Sequence, residues 1–357
     1  MSRLKIAVVG VGALGRHHAR ILADFDCVEL VAVADTNSEA GQRVAHDCRT
    51  RWIADYRDIL ADVDAVTVAV PTGGHRSVAA DFLSRGIPTL IEKPLAGNLQ
   101  DAEALVRLAD QHNTLLQVGH VERFNPATRV AWDLCGPPKY IRAERLSPYA
   151  FRSTDIGVVH DLMIHDLDLV LDLVGAEVRD VEAFGISILG GHEDSVQARV
   201  RFLDGCIADF TANRVHPTAR RTMQIWWHGG CVDVDFTSRE VVSYEPSDSL
   251  LYGIPILERA RWPGADVEQL KRQVFGDFLK VIKPDVPPGD ALTGELSGFV
   301  VSVQQRQPPI CDGHQALKAM QIADRVLDCV SQHQWDGNPD GAVGPFARMP
   351  GGYRLAG

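Results

Sequence analysis

The chain has 357 residues, 45% of them hydrophobic and 23% charged, which predicts a folded protein of two domains rather than a disordered chain. Its formal net charge of −11 argues against a nucleic-acid or anionic-membrane binder, and we expect neither partner. Seven widely spaced cysteines without a C-x-x-C pair, together with the lack of a membrane-length apolar run, favour a cytoplasmic protein.

The first predicted element is a buried strand, LKIAVV at residues 4–9, and a glycine-rich loop and a helix follow it directly. Gly10 permits a tight turn, Gly12 lets the backbone approach a pyrophosphate, and Gly15 lets helix and strand pack closely. The free N–H groups of the helix N-terminus suit the phosphates. The pattern predicts a dinucleotide-binding Rossmann unit. Its loop residues predicted to bind the cofactor are Gly10, Gly12, Ala13, Leu14 and Gly15.

A second buried strand, at residues 28–35, ends in Asp35, twenty residues after Gly15. An acid at this position accepts hydrogen bonds from the ribose hydroxyls of adenosine and repels a 2′-phosphate. Residues 36–38 supply no arginine for such a phosphate. We therefore predict NAD as the cofactor and regard NADP as the less favoured alternative.

Strands and helices continue to alternate, with further strands predicted at residues 64–70, 88–94 and 114–120. This order predicts a doubly wound parallel sheet with ligands at the carboxyl ends of its strands. The residues at these strand ends predicted to contact the cofactor are Pro71, Thr72, His75, Glu92 and Lys93. Lys93 can hydrogen-bond an alcohol under oxidation and stabilise alkoxide-like charge; a surface charge is the alternative.

The stretch GVVHDLMIHDLD, residues 157–168, carries two His-Asp pairs inside an apolar helical pattern. Asp161 and His165 share a helix face, whereas His160 and His165 diverge by about 140°. This divergence and the lack of H-E-x-x-H spacing argue against a metal site, and we predict none. Asp161 with His165 makes a natural acid–base pair, and a hydrogen-bonded core pair is the alternative.

From about residue 139 the pattern changes to alternating strands. Asp204-Gly205 and Gly229-Gly230 each stand between two such strands and predict hairpins. Strands joined in this way form an antiparallel sheet, one face of which is free to pack on a helix or a partner.

Amphipathic patterns predict helices over residues 267–282 and 313–333, with a proline-bearing connection at 301–313 between them. The linker is predicted around ERFNPATRVAWDLCGPP, residues 122–138, where the parallel pattern ends and a Gly-Pro-Pro stop follows. The predicted domains are an NAD-binding Rossmann domain at 1–122, a substrate-binding and oligomerisation domain at 123–335, and an extended tail at 336–357.

The motifs GVGALGRHHA, VPTGGH, EKP and GVVHDLMIHDLDL, taken together and in this order, resemble the glucose-fructose oxidoreductase / inositol dehydrogenase / MocA (Gfo/Idh/MocA) family. The resemblance implies an α/β protein in which the Rossmann domain joins a C-terminal α/β domain with a large, mainly antiparallel open sheet. Such sheets build homodimers or homotetramers. It also implies NAD-dependent oxidation of a sugar hydroxyl to a ketone, with His165 as the base and Asp161 and Lys93 assisting.

A narrower resemblance concerns VGHVERFNPA at residues 118–127 and RSTDIGVVHDLMIHDLDLV at 152–170, which are similar to UDP-N-acetylglucosamine 3-dehydrogenases. It implies a nucleotide-sugar near Arg123, Asn125 and Arg152. Arginine suits a pyrophosphate through bidentate bonding, and a salt bridge at a domain interface is the alternative for each arginine. Two other functions stay open: an inositol or free-sugar dehydrogenase, and a non-catalytic NAD-binding regulatory protein.

Overall fold

The computed structural model describes residues 3–151, 156–189, 191–335 and 341–345. These residues form two compact units. The described parts of Met1–Phe124, Arg152–Leu169 and Gly289–Asp328 make up the first, and those of Asn125–Phe151, Val170–Pro288 and Cys329–Gly357 make up the second. The sequence placed the two later segments of the first unit in the second domain, so contacts and predicted boundaries divide the chain differently. Most of the predicted tail lies outside the described residues.

Fourteen strands are found in the described residues. In chain order they are β1 (Leu4–Val9), β2 (Val28–Ala34), β3 (Arg51–Ile53), β4 (Ala65–Val68), β5 (Thr89–Glu92), β6 (Leu116–Gly119), β7 (Tyr140–Leu146), β8 (Val178–Ile186), β9 (Ser195–Phe202), β10 (Ile207–Asn213), β11 (Arg220–Trp227), β12 (Gly230–Asp235), β13 (Glu240–Pro246) and β14 (Leu279–Ile282).

The α-helices of the described residues are α1 (Gly15–Ala23), α2 (Ser38–Asp47), α3 (Thr72–Leu83), α4 (Leu99–Gln111), α5 (Pro126–Leu134), α6 (Ile164–Val174), α7 (Asp248–Tyr252), α8 (Ile256–Arg259), α9 (Val267–Gln273), α10 (Ala291–Gln305) and α11 (Gly313–Gln332). Short 3-10 helices cover Tyr56–Ile59 and Val121–Phe124, and a π-helical turn, Val159–Met163, leads into α6. Over the part of the chain that is described, no helix has both the length and the apolar character to cross a membrane.

The first unit contains the predicted parallel sheet, with six strands in the order β3-β2-β1-β4-β5-β6. Its strands are apolar on both faces because helices cover both sides, as the continuous apolar runs indicated. One face packs on a core that includes Ile6, Val8 and, from α10, Leu296 and Phe299. This fold brings the carboxyl ends of β1, β4 and β5 together at the sheet edge where ligands bind in doubly wound proteins.

The second unit is built on an eight-stranded sheet in the order β14-β13-β12-β11-β7-β10-β9-β8. Neighbours pair antiparallel except β7 and β10, which are parallel. The hairpins predicted at Asp204-Gly205 and Gly229-Gly230 join β9 to β10 and β11 to β12. The predicted large, mainly antiparallel sheet is therefore present.

The helix predicted over 267–282 is wrong in its second half. The structure has the short helix α9 and then β14, which pairs with β13 through Tyr244 and Val281. The proline-bearing connection is also partly wrong, because residues up to Gln305 belong to α10. Helix α10 was missed because it is apolar on most of its surface and shows no clear amphipathic stripe.

Candidate active site

The glycine-rich loop between β1 and α1 has a backbone that side chains would disturb. Gly10 has φ +84°, and a Cβ there would lie 2.7 Å from the carbonyl oxygen of Ala69. A Cβ on Gly15 would lie 1.8 Å from the carbonyl oxygen of Gly10, whereas one on Gly12 would meet nothing within 4 Å. The loop therefore combines a tight turn, close helix packing and an open backbone at Gly12, the combination that a pyrophosphate site needs.

The first turn of α1 presents backbone donors. Its N-cap is Leu14, no side chain caps it, and its first turn has no acidic residue. The N–H groups of Arg16 and His17 donate to the carbonyl oxygens of Gly12 and Leu14, and the positive end of the helix dipole attracts an anion at this terminus. Ala13 and Leu14 are exposed at this end. These residues fit the pyrophosphate of a dinucleotide.

Asp35 directly follows β2, and its carboxylate is tied to the glycine-rich loop. Oδ2 accepts a hydrogen bond of 2.8 Å from the backbone N–H of Val11, and Oδ1 accepts one of 2.8 Å from that of Asn37. An ionised carboxylate offers about four acceptor positions. The two bonds orient Asp35 and leave acceptor capacity for the hydroxyls of an adenosine ribose.

The residues after β4 divide into an exposed and a buried group. Pro71 caps α3 and is exposed, and Thr72 is half-buried, whereas His75 is only 1% exposed. Its ring nitrogens lie 2.9 Å from the carbonyl oxygens of Val70 and Pro94, so His75 connects the end of β4 with the E-K-P triplet. Burial lowers the pKa of His75, although both carbonyls favour the protonated ring.

Lys93 follows β5 and contacts Asp161 through two separate bonds. Its Nζ donates to the backbone carbonyl oxygen of Asp161 at 2.7 Å and to the carboxylate Oδ1 at 3.2 Å. The two side chains are 14% and 11% exposed, so solvent screens the ion pair only weakly. The structure thus brings together two of the three residues predicted to be catalytic.

Glu92 lies beneath Lys93 and points into the protein. Its Oε1 is 2.9 Å from Nε2 of the buried His18, and its Oε2 accepts a bond of 3.2 Å from the backbone N–H of Lys93. Burial opposes ionisation of Glu92, but the hydrogen bond and charge of His18 outweigh it and hold the pKa of Glu92 below its usual range. Glu92 is therefore bonded to its own chain, in a place where sequence analysis expected cofactor contact.

His165 stands on the first turn of α6, just after the π-helical turn that contains His160 and Asp161. Single π-helical turns often occur at functional sites. The imidazole ring of His165 meets that of His120 edge-on, with centroids 6.3 Å apart. Burial lowers the pKa of His120, which keeps this neighbour of His165 neutral.

Arg123 is held in a buried ion pair. Its Nε and Nη2 donate to the two carboxylate oxygens of Asp168 at 2.7 and 2.8 Å. The carboxylate also accepts a weak bond from the Cys311 thiol at 3.8 Å and lies 3.7 Å from Nδ1 of His120. This geometry is the salt-bridge alternative to substrate binding, and the substrate role of Arg123 stays a prediction.

The other two predicted substrate residues differ in position. Asn125 is buried at the start of α5, where its Oδ1 caps the helix through Ala127 and its Nδ2 donates to the carbonyl oxygen of Phe236. Arg152 lies outside the described residues. Substrate contacts of both residues also stay predictions.

Two buried clusters went unnoticed in the sequence. His120, Asp168 and Cys311 form one, His18, Glu92 and Glu295 the other, and in each the potential ligand atoms lie within 4.8 Å of one another. Ion pairing already occupies Asp168 in the first cluster. A lone acid in the apolar stretch ALTGELSGFVV was the signal that could have identified Glu295.

Two family descriptions match the chain. Residues 4–120 match an oxidoreductase family with an NAD-binding Rossmann fold, and residues 128–232 match the GFO/IDH/MocA C-terminal domain.

Individual relatives add detail. The UDP-N-acetylglucosamine 3-dehydrogenase of Acidithiobacillus ferrooxidans is 34% identical over 327 residues, which cover 91% of this chain and 97% of that protein. Its solved structure has a TM-score of 0.80 and covers 92% of this chain and 98% of its own. The scyllo-inositol 2-dehydrogenase of Bacillus subtilis is 28% identical over 60% of this chain and 68% of its own length. Levoglucosan dehydrogenase, solved with NADH and levoglucosan, shares the fold at 17% identity, with a TM-score of 0.77 and coverage of 92% and 97%.

Proposed function

Because the chain belongs to the Gfo/Idh/MocA family of NAD(P)-dependent dehydrogenases that act on CH–OH groups, we propose that it oxidises the 3-hydroxyl of UDP-N-acetylglucosamine to a ketone with NAD. The observation that carries the proposal is the pair of hydrogen bonds from the Lys93 ammonium to Asp161, at the carboxyl end of β5. His165 follows Asp161 by one helical turn. Acid–base groups are thus gathered in the unit that contains the glycine-rich loop.

Each of the three side chains has a distinct part in the proposed reaction. His165 takes the proton of the substrate hydroxyl, because an imidazole changes its charge near neutral pH. Lys93 donates a hydrogen bond to the same oxygen and stabilises the negative charge that develops there as the proton leaves. Asp161 orients the Lys93 ammonium. A bound NAD supplies the acceptor for the hydride that leaves the carbon.

The cofactor proposal is supported by Asp35. Its carboxylate is fixed by Val11 and Asn37, so it cannot easily turn away from a ribose at the loop. A 2′-phosphate at this ribose would face a fixed negative charge, and residues 36–38 offer no arginine to offset it. We therefore favour NAD over NADP.

The substrate proposal is supported by the relative from Acidithiobacillus ferrooxidans, which this chain matches over 97% of that protein's length. A cyclitol or free-sugar dehydrogenase is the second candidate, and the shorter match to scyllo-inositol 2-dehydrogenase favours it. The two differ in whether turnover requires the UDP group.

Reduction of NAD by UDP-N-acetylglucosamine, free N-acetylglucosamine and myo-inositol separates these functions. We expect that, of the three compounds, only the UDP-linked sugar gives reduced nicotinamide. A hydrazine trap in each assay removes the ketone product and pulls the reaction forward. Turnover with the free compounds only would favour the second candidate. Tight NAD binding without turnover on any of the three would favour a non-catalytic regulator.

A variant that keeps the fold tests the role of His165. We expect His165→Asn to bind NAD as the wild type does and to lose about 10²- to 10⁴-fold in kcat, because the general base is gone. His46→Asn, an exposed position on α2, is the control and should leave kcat unchanged. A kcat for His165→Asn within twofold of the wild type would remove His165 from the base role.

A further inference from the structure

Helix α10 carries a carboxyl group into the apolar core of the first unit. Glu295 is 0% exposed, and its neighbours on the helix, Leu296 and Phe299, belong to the core that packs on β1. Among the described residues, neither oxygen of its carboxyl group has a hydrogen-bond partner. A buried carboxyl group costs several kcal/mol unless it is compensated, so a purely structural helix has no reason to carry one.

The carboxyl group of Glu295 lies close to two other buried polar groups. One ring nitrogen of His18, a carboxylate oxygen of Glu92 and a carboxyl oxygen of Glu295 all lie within 4.8 Å of one another. They come from α1, from the end of β5 and from α10, which are remote in the sequence. The fold therefore brings these three residues together as one buried cluster, the His18–Glu92–Glu295 cluster, near the carboxyl end of β5.

The cluster connects to the proposed catalytic lysine through the backbone. Glu92 bonds His18 with Oε1 at 2.9 Å and receives the backbone N–H of Lys93 with Oε2 at 3.2 Å. The side chain of Lys93 in turn bonds Asp161. A Glu92 carboxylate turned out of this orientation would lose its bond to the backbone N–H of Lys93.

We propose that the His18–Glu92–Glu295 cluster positions Lys93 for catalysis through the bond of Glu92 to the Lys93 backbone. Glu295 is a positioning residue that keeps the Glu92 carboxylate in its orientation. This inference rests on the proposed dehydrogenase function. Glu295 touches neither substrate nor cofactor in this role.

The cluster works with Glu295 in its neutral form. Burial raises the pKa of Glu295 well above its usual range, and the negative charge of Glu92 raises it further. Glu92 stays ionised, because His18, Lys93 and His75 all favour its charge against the cost of burial. Two carboxylates this close cannot easily both ionise, so loss of the Glu295 proton is expected to displace Glu92 from Lys93.

The proton on Glu295 has a defined consequence for stability. Its pKa is raised in the folded protein and ordinary in the unfolded chain, so the folded state binds more protons over the interval between the two values. Stability therefore falls as pH rises from the ordinary glutamate range up to the raised pKa of Glu295. A neutral residue at this position abolishes that part of the pH dependence.

Three variants of the full-length chain test the proposal. Glu295→Gln keeps the shape without the charge, and Glu295→Leu replaces the acid by an apolar side chain, which buried ionisable sites often tolerate. Leu296→Ala, at the next position of α10, is a matched core control outside the cluster. Thermal unfolding and the pH profile of kcat and KM are measured for each, with NAD and UDP-N-acetylglucosamine.

We expect Glu295→Gln to unfold with a weaker loss of stability toward alkaline pH and to move the alkaline limb of kcat upward by at least about one pH unit, a tenfold change in proton concentration. Glu295→Leu should be stable but slower, with kcat down about tenfold and KM within about twofold, because it no longer positions Glu92. Leu296→Ala should unfold at a lower temperature at every pH and keep the wild-type profile.

A wild-type kcat profile in Glu295→Leu, or an unfolding profile of Glu295→Gln parallel to the wild type, overturns the proposal. The unfolding measurement needs no substrate, so it decides on the buried proton even if the chain fails to oxidise UDP-N-acetylglucosamine. In that case the proposed function fails by itself, and a parallel unfolding profile would still contradict the cluster.

Discussion

Two acidic residues of one helical segment form buried ion pairs of different kinds. Asp161 accepts hydrogen bonds from the Lys93 ammonium with one carboxylate oxygen and with its own backbone carbonyl. Asp168 instead accepts a bidentate pair of hydrogen bonds from Arg123, so most of the donor capacity of this guanidinium is used within the protein. The first arrangement suits a group that works on a substrate, and the second suits a group that fixes the segment in place.

Arg123 provides a test of this distinction. Removing one member of a buried ion pair leaves an uncompensated charge, so we expect Arg123→Ala to lower the free energy of unfolding by about 3–5 kcal/mol. KM for UDP-N-acetylglucosamine should change less than about threefold in protein that remains folded. Urea unfolding and steady-state kinetics measure the two effects.

The matched control is Arg129→Ala, which breaks an exposed pair with Asp133 on α5 and should leave stability unchanged. If Arg123→Ala kept its stability and raised KM by an order of magnitude or more, Arg123 would bind substrate as the sequence resemblance implies.

The predicted catalytic residues were accessible from the sequence because they stand in short motifs with fixed spacing. Lys93 lies in E-K-P, and Asp161 and His165 are four residues apart. The clustering of His18 and Glu295 with Glu92 could not be predicted from the sequence, because these residues lie far apart in the chain. Helical geometry alone also omitted the π-helical turn, so the 100° steps assumed for residues 157–168 do not hold across it.

Among the helices and strands, pairing between distant segments determined the secondary structure of residues 279–282, which the local sequence pattern did not predict. Residues 279–282 fit a helical pattern, yet they pair with β13 as β14. Strand formation here depends on a partner more than thirty residues earlier, and local periodicity does not report it. The strand–loop–helix at the N-terminus was predictable because every step of it is local: an apolar run, three spaced glycines and a helix.

The glycine-rich loop allows two substitutions with opposite expectations. Gly12→Ala meets nothing within 4 Å, so we expect unchanged thermal stability and a Kd for NAD raised about tenfold, since the methyl group occupies the space above the loop. Gly15→Ala places a Cβ 1.8 Å from the carbonyl oxygen of Gly10, and we expect a loss of stability above about 2 kcal/mol.

Isothermal titration with NAD and thermal unfolding of both glycine variants measure these effects. Wild-type NAD affinity in Gly12→Ala would contradict the placement of the pyrophosphate over this loop.

In the molecule as a whole, two segments from later in the sequence belong to the first unit. Residues 156–169 bring Asp161 to Lys93, and α10 completes the core beside β1. The sequence predicted both sheets, because helix alternation and hairpin turns indicate them, but not the parallel pairing of β7 with β10. It could not assign these two segments to the first unit, since nothing local distinguishes a segment that returns to an earlier core.

The sheet of the second unit is the surface proposed for self-association. Trp226 on β11 and Ile186 on β8 are 45% and 46% exposed, and exposed large apolar side chains on a sheet commonly mark an interface. We expect the wild type to be a dimer or tetramer by light scattering and Trp226→Asp to shift it toward the monomer. Leu251→Asp, an exposed apolar position on α7, should not shift it. A monomeric wild type would contradict this expectation.

The transfer of hydrogen from C3 of the sugar to the nicotinamide is the defining step of the proposed reaction. UDP-N-acetylglucosamine that carries deuterium at C3 is incubated with the protein, NAD and a hydrazine trap, and the nicotinamide is analysed by mass spectrometry. We predict that reduced nicotinamide carries the deuterium, that the trapped ketone has lost it, and that His165→Asn forms both products about 10²- to 10⁴-fold more slowly. Absence of deuterium from the nicotinamide, in protein that binds both NAD and the sugar nucleotide, would contradict the account.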